Sequence, residues 1–430
     1  MFDRIHAARE RGPAQRARSL LVTGAWLVSL ILISRPVHAD DAVMEWNQIA
    51  LAATVTAAQG PNPQIRSMTI VHVSVHDAVN AITCHYRTYL AIGCGPWGSA
   101  DAAAIAAAHR ALVGLFPAQA STLNAARTAS LAARGLPESD PGIQVGEAVA
   151  AVLLDVRSTD GSAQAQFPYT APGTGEPGVW VAVGTAPPVL PGWGKVTPWA
   201  VRSLSRFQPD GPPLLHSRRW ARDYDEVKEL GSLTSPTRTP EQTEIARFWL
   251  ASPTIIWNGV ARQLIQAHGL DLSASARTLA LMYLAASDAG IACWEAKYTF
   301  NFWRPVTAIR NGDTDDNERT IGDAAWTPLF PTPQHPEYLS GHATNSGAMA
   351  TVLRLLFGDR SVPIVATSTT NPGFARHWAA LSEGVEEVIE ARIYSGIHYR
   401  TSDEEGAQLG GRIGRFVANH ALRVRRPHKD

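Results

Sequence analysis

The chain has 430 residues, enough for one large core or two ordinary ones. Its 38 Lys and Arg balance 38 Asp and Glu, which excludes the basic field that a nucleic-acid partner requires. With 45% hydrophobic residues, 13 Trp, 34 Gly and 29 Pro, it reads as a packed enzyme with long ordered loops, not a disordered or repetitive chain.

The first element is a secretory signal over residues 1–39. Arg4, Arg9, Arg11, Arg16 and Arg18 supply a positive start, Ser19 to Ile33 an apolar core, and Val37-His38-Ala39 a small-x-Ala cleavage site before Asp40. The apolar core is short for a membrane span, and Pro36 follows it closely. We therefore expect cleavage, a periplasmic or secreted mature protein, and no stable membrane insertion afterwards.

Amphipathic, Ala-rich patterns then predict helices over 42–59, 65–82, 101–115, 121–133 and 143–159. Cys84 and Cys94 are spaced to close a small loop in an oxidising compartment, while Cys293 lies in an apolar stretch as a buried inert thiol. Residues 162–204 carry Gly, Pro and Trp without a period, as an ordered loop or strap would. In it, Trp180, Trp193 and Trp199 are assigned to packing against the bundle.

Helical signals resume at 220–230. Thr239, Pro240 and Gln242 form a helix start with cap, first-turn proline and capping-box partner. Further helices are predicted over 245–258, 273–302, 342–355, 375–394 and 406–418, before a basic tail at 423–430. Alternating patterns are scarce, so the fold class is all-α. We expect one helical catalytic domain over 40–430, with two bundle-like halves, about 40–204 and about 205–422. A homo-oligomer is compatible with this composition.

Three short segments hold the chemistry. Lys297-Tyr-Thr-Phe-Asn-Phe-Trp-Arg304-Pro305 places two cations seven apart, two turns along one predicted helical face that also carries Trp294 and Asn301. An Arg fork grips two anion oxygens while a Lys adds a point charge. Ser340-Gly341-His342 opens an apolar helix whose free N–H groups and dipole favour an anion, with His342 able to give or take a proton. Arg392 and His398 flank Tyr394-Ser395-Gly396, where a glycine turn lets the imidazole swing back towards the Arg. Each segment alone has an ordinary reading: a solvated charged face, a common helix start, a His favoured by the end of a helix. Together they make an oxyanion site. By contrast, His72 and His76 in HVSVHD, four apart on one helical face with Asp77 next in sequence, offer too few ligands for zinc and are assigned to packing or core support. His109, His216 and His268 receive no role.

These segments resemble the vanadium-dependent haloperoxidase and type 2 phosphatidic-acid-phosphatase superfamily. Its pattern is Lys, six residues, Arg-Pro; then Pro-Ser-Gly-His; then Ser-Arg, five residues, His, three residues, Asp. Here it is met by Lys297, Arg304 and Pro305, by Ser340, Gly341 and His342, and by Arg392 and His398. MEWNQIA and VHDAVNAI in the first half, and the flanks PEYLSGHA and RIYSGIHYR, resemble the bacterial secreted members. Leu339 and Ala391 replace motif residues that supply no anion-binding group. Ser402 stands at the motif Asp, with Asp403 one residue on, so either Asp403 shifts to reach His398 or another carboxylate does.

The resemblance implies a helical-bundle haloperoxidase-like fold with vanadate as cofactor, phosphate being able to occupy the same site. His398 would be its single protein ligand. Lys297, Arg304, Ser340, Gly341 and Arg392 would hold the oxygens, with His342 as the acid–base group. Hydrogen peroxide and bromide, or iodide, would be the substrates, with small organic molecules as halogen acceptors. His335, seven residues before His342, resembles the bromide-oxidising members. The same pocket in a secreted acid phosphatase would use His398 as nucleophile through a phosphohistidine and His342 to protonate the leaving group. A third reading is an oxyanion-binding protein without turnover.

Overall fold

The computed structural model describes residues 41–425; the predicted signal and the last five residues of the basic tail lie outside them. The described residues fall within one compact unit. Its α-helices run Ala42–Thr56 (α1), Pro61–Thr83 (α2), Ala100–Leu115 (α3), Ala120–Ala133 (α4) and Pro141–Ser158 (α5). They continue as Arg218–Leu230 (α6), Pro240–Phe248 (α7), Pro253–Ala267 (α8), Leu272–Phe300 (α9), Pro305–Arg310 (α10), Gly341–Phe357 (α11), Leu381–Tyr394 (α12) and Arg400–His420 (α13). The fold is all-α apart from one small antiparallel pair, β1 (Ile364–Ala366) and β2 (Arg376–Trp378), in which Val365 faces His377.

Local chemistry sets the ends of these helices. Asp41, Ser99, Asp140, Ser217, Thr239 and Asp271 each cap a first turn through a side-chain oxygen, and Thr239 with Gln242 completes the capping box expected from sequence. The predicted helix over 245–258 is in fact two. Pro253 has no N–H to give to a preceding turn, so α7 ends at Phe248 and α8 starts afresh with the proline in its first position. The predicted helix over 375–394 begins only at Leu381, because residues 376–378 pair with β1 and bury the Trp378 ring.

α9 is buried over almost its whole length, as expected of a central helix. It packs against α2 on one side and against α11 and α13 on the other. The α11–α13 contact is the most extensive among the described helices and rests on small residues. A side chain at Gly410 would meet the Thr344 carbonyl oxygen at 1.9 Å, and one at Gly347 the Ala407 oxygen at 2.3 Å. The two backbones therefore touch directly, and the first turn of α11 lies beside the first turn of α13. The chain reaches α13 from α12 through Gly396, whose φ of +74° is a turn conformation that suits glycine.

Residues 162–204 form an irregular strap. Trp180 N–H donates to the Asn301 carbonyl, Trp303 N–H to Gly178, and Val189 N–H to Gln334, so the strap lies along the end of α9 and the loop before α11. Its far end is held by Asp288 of α9, which accepts from the N–H groups of Trp199, Ala200 and Val201. Trp180, Trp193 and Trp199 are all buried, as their packing assignment requires. Cys84 and Cys94 form a disulfide, and the loop they close pairs with residues 423–425 through Arg87, His85 and the Tyr86–Val424 bridge. Cys293 is buried and free.

Candidate functional site

Four chain segments converge where α9 ends and α11 and α13 begin. Lys297 lies on the last turn of α9, fully buried, and donates from Nζ to the carbonyls of Pro336 and Glu337, each at 2.9 Å. Burial pulls its ammonium from 10.5 down to about 7, with nearby Arg304 acting in the same direction. Arg304 does not share a helical face with Lys297, as the spacing had predicted. Asn301 takes a left-handed conformation, φ +47°, and ends α9, so Arg304 is delivered by a short loop as the residue capping α10.

That loop brings Arg304 to the centre of the site. Its Nε donates to the His335 carbonyl at 2.9 Å, Nη1 to the Ile397 carbonyl at 2.7 Å, and Nη1 also lies 3.2 Å from His398 Nε2. Nη2 is 2.9 Å from His335 Nδ1. The His335 ring in turn packs on Trp294, 5.0 Å between centroids, and the Trp294 ring approaches the space where a Gly341 side chain would stand. His335, Gly341 and His342 are partly exposed, whereas Lys297, Arg304, Ser340, Arg392 and His398 are buried. The first three therefore form the mouth of the site and the cations its floor.

Ser340 precedes the first turn of α11 as expected, but its hydroxyl caps nothing; it is buried and has no hydrogen-bond partner. The N–H groups of that first turn have no intrahelical acceptor. His342 Nε2 and Arg392 Nε are likewise buried and unpaired. Arg392 is held by the Trp249 carbonyl, 2.9 Å from Nη1, and the Ala251 carbonyl favours the protonated form of His342. Both acceptors come from the turn that Pro253 creates between α7 and α8, a contribution that no side-chain motif announces.

Burial drives the three imidazoles of His335, His342 and His398 well below their ordinary range, reinforced by Lys297, Arg304 or Arg392. The arginines are also pulled down, to about 10 each, first by burial. The site thus holds neutral imidazoles among poorly solvated cations, with unpaired donors from Ser340, Arg392 and the α11 turn. This donor set fits a tetrahedral oxyanion such as vanadate or phosphate: hydrogen-bond donors and positive charge face a place where, without an anion, polar atoms go unsatisfied.

The carboxylate beside His398 is Glu337, which the sequence reading missed. His398 Nδ1 lies 2.7 Å from Glu337 Oε1, and both side chains are buried. Asp403 is also buried, but it sits near Ser340 and Arg392 with neither carboxylate oxygen hydrogen-bonded. The local shift that would have brought Asp403 to His398 does not occur. The available signal was a lone acidic residue in PEYLSGH, next to an oxyanion motif, where a negative charge needs a reason to be.

Other candidates stand apart. His72 is buried, stacks on Tyr283 with 5.1 Å between centroids, and bonds Asn47, while His76 bonds Asp77. Among the described residues no group of three or more His, Cys, Asp or Glu is arranged to hold a metal ion. The packing assignment of this pair stands.

Comparison with known proteins agrees with this geometry. Residues 277–427 match the family model of the VCPO second helical-bundle domain, a stretch that contains all three motif segments. A vanadium chloroperoxidase from Curvularia inaequalis is 29% identical over 203 residues, which is 40% of this chain and 33% of that enzyme, so the match spans a third of its length. Among solved structures, a bacterial vanadium-dependent iodoperoxidase superposes with a TM-score of 0.78 at 23% identity, covering 90% of this chain and 97% of the other. An apo bacterial vanadium-dependent chloroperoxidase gives 0.68 at 18% identity over 84% and 94% of the two chains. Its holo counterpart gives 0.66 at 18% identity over 86% and 92%.

Proposed function

We propose that this chain, which has the vanadium haloperoxidase fold and carries a VCPO second helical-bundle domain at 277–427, is a vanadate-dependent haloperoxidase that uses hydrogen peroxide to oxidise bromide or iodide. The observation that carries the reading is the set of buried, unpaired donors around a neutral His398, matched residue by residue to the oxyanion motif. His398 would be the protein ligand; Lys297, Arg304, Arg392, Ser340 and the Gly341 N–H would hold the oxygens. Bound vanadate would supply a Lewis acid that activates peroxide towards a halide without changing oxidation state.

The residues then have separate tasks. The floor cations sit in a dry place where each is worth more than in water, and they compensate charge on the oxyanion without reorganising. His342, at the mouth with a free Nε2, is placed to move protons to and from peroxide. His335, packed on Trp294 at the partly exposed edge of the site, supports the bromide assignment over chloride. The secretory signal supports a periplasmic or secreted location, where a hypohalous product does no internal harm.

The alternative is a secreted acid phosphatase using the same groups, with His398 attacking phosphorus. The test incubates purified protein with vanadate, peroxide and bromide or iodide and follows halogenation of a phenolic dye. In parallel, aryl phosphate hydrolysis is followed without vanadate. We expect vanadate to create the first activity and to inhibit any of the second. Phosphate hydrolysis without halogenation at any halide concentration would establish the phosphatase; neither activity would leave an oxyanion-binding protein.

A further inference from the structure

We infer that Glu337 is the positioning residue for His398 and that it has taken over, with Ser402 beside it, the task that the related motif gives to an Asp at position 402. The geometry is direct. Glu337 Oε1 lies 2.7 Å from His398 Nδ1 and also accepts from the Tyr399 N–H at 3.2 Å, so one oxygen fixes both the ring and the backbone that carries it. The Glu337 main chain is pinned as well: its N–H donates to the Phe302 carbonyl at 2.9 Å, and its carbonyl accepts from Lys297 Nζ at 2.9 Å. A single residue therefore ties together the ends of all three motif segments: Lys297, the loop before Ser340, and His398.

With Nδ1–H donated to a carboxylate, the His398 lone pair is on Nε2, the atom that faces Arg304 and the centre of the site. A ligand imidazole needs that tautomer, and an ionised partner also makes it a better donor to the ligand it holds. The choice of Ser402 follows. Burial pushes the Glu337 carboxyl up to about 7, and the Ser402 hydroxyl, which makes no full hydrogen bond but lies beside it, acts the other way by favouring the charged form. An Asp at 402 in addition to Glu337 would set two carboxylates against one imidazole, and such a pair cannot both stay ionised without penalty. Glu337 and Ser402 are thus two halves of one exchange: the carboxylate has moved to the loop before α11, and the motif position on α13 has become small and neutral.

The functional consequence rests on the reading of His398 as the oxyanion ligand; the orientation of its ring does not. The test uses the mature chain with ¹⁵N-labelled histidine, as wild type, Glu337→Ala, Glu337→Gln and Glu337→Ala with Ser402→Asp. Two quantities are read: the His398 tautomer by long-range ¹H–¹⁵N spectra without anion, and the vanadate dissociation constant by calorimetry. The wild type should show Nδ1–H. Glu337→Ala should lose that fixed tautomer and bind vanadate about 10- to 100-fold more weakly. Adding Ser402→Asp should restore the tautomer and most of the affinity. Glu337→Gln keeps the volume and an acceptor but drops the charge; it should keep the tautomer, weaken vanadate roughly ten-fold, and serve if the Ala variant does not fold. Wild-type tautomer and affinity in Glu337→Ala, or a folded double variant with no recovery, would overturn the inference. If the wild type binds no vanadate, the proposed function fails, and the tautomer series still decides the role of Glu337.

Discussion

Replacing Lys297 by Met should make the protein more stable without an oxyanion and a weaker binder with one. The ammonium is fully buried, and its position near pH 7 instead of 10.5 means that the charged form is disfavoured in the folded state. At about 1.36 kcal/mol per unit, the buried charge destabilises the fold by about 5 kcal/mol below pH 7. The penalty fades as pH rises from 7 towards 10.5, because the folded-state lysine becomes neutral while the unfolded one stays charged. Met retains the stem but leaves the carbonyls of Pro336 and Glu337 without their donor, a loss of about 1 kcal/mol each. The net expectation at pH 6.5 is a gain of about 2–3 kcal/mol by equilibrium urea unfolding in phosphate-free buffer. Phosphate or vanadate at a hundred times the wild-type dissociation constant narrows the gap by about 1–2 kcal/mol. Wild type gains about 2.7 kcal/mol at that level, whereas the variant has lost a charge-assisted contact and binds about 10- to 100-fold more weakly. A variant that is less stable in anion-free buffer, or that keeps wild-type anion affinity, would show that Lys297 only fastens the loop before α11.

Three further outcomes follow from the same contacts. His342→Ala should lower peroxide-dependent turnover by about 10²- to 10⁴-fold and flatten its pH profile, while calorimetric vanadate affinity stays near that of wild type. Asp288→Ala leaves the N–H groups of Trp199, Ala200 and Val201 without their acceptor; amide exchange over 197–201 should accelerate with a stability loss on the order of 3 kcal/mol, and unchanged exchange would refute its anchoring role. Breaking the Cys84–Cys94 disulfide with Cys84→Ser and Cys94→Ser should destabilise by about 2–3 kcal/mol and expose the paired segment 423–425 to carboxypeptidase; a tail as resistant as in wild type would count against that clamp.

The parts of this protein that were legible in sequence are those in which function and position are local. Ser340-Gly341-His342 lies within a single turn, so spacing alone gives its relative placement, and Thr239 with Gln242 announces its helix start for the same reason; Arg392 and His398 lie either side of a helix end, but the Gly396 that turns the chain between them is itself readable. Lys297 and Arg304 show the limit. Seven residues apart reads as one helical face, but a single left-handed residue, Asn301, ends the helix between them. The two cations still meet because the loop carries Arg304 back to the His335 and Ile397 carbonyls. The two cations therefore come together by a route other than the helical face that their spacing suggested. Pro253 was a readable break that helical periodicity on both sides concealed. The Trp249 and Ala251 carbonyls had no readable signature at all, since a backbone acceptor looks alike in every sequence.

Glu337 lies between these cases, and its charge explains why it belongs to the site. Lys297, Arg304 and Arg392 are buried together; burial disfavours the charging of each, and Arg304 adds to this at both Lys297 and Arg392. A floor of three cations without an internal anion would be charged only when an external one is bound. Glu337 and Asp403 lie within the field of that floor, and both feel Arg392 or Arg304 as a stabilising charge even though burial raises their own protonation. They temper the repulsion so that the cations can be assembled before any oxyanion arrives, yet Arg392 Nε and the Ser340 hydroxyl stay unpaired. The site is thus compensated enough to fold while Arg392 Nε still has a hydrogen bond to give, and a donor held ready in a dry place is what an incoming oxyanion gains from.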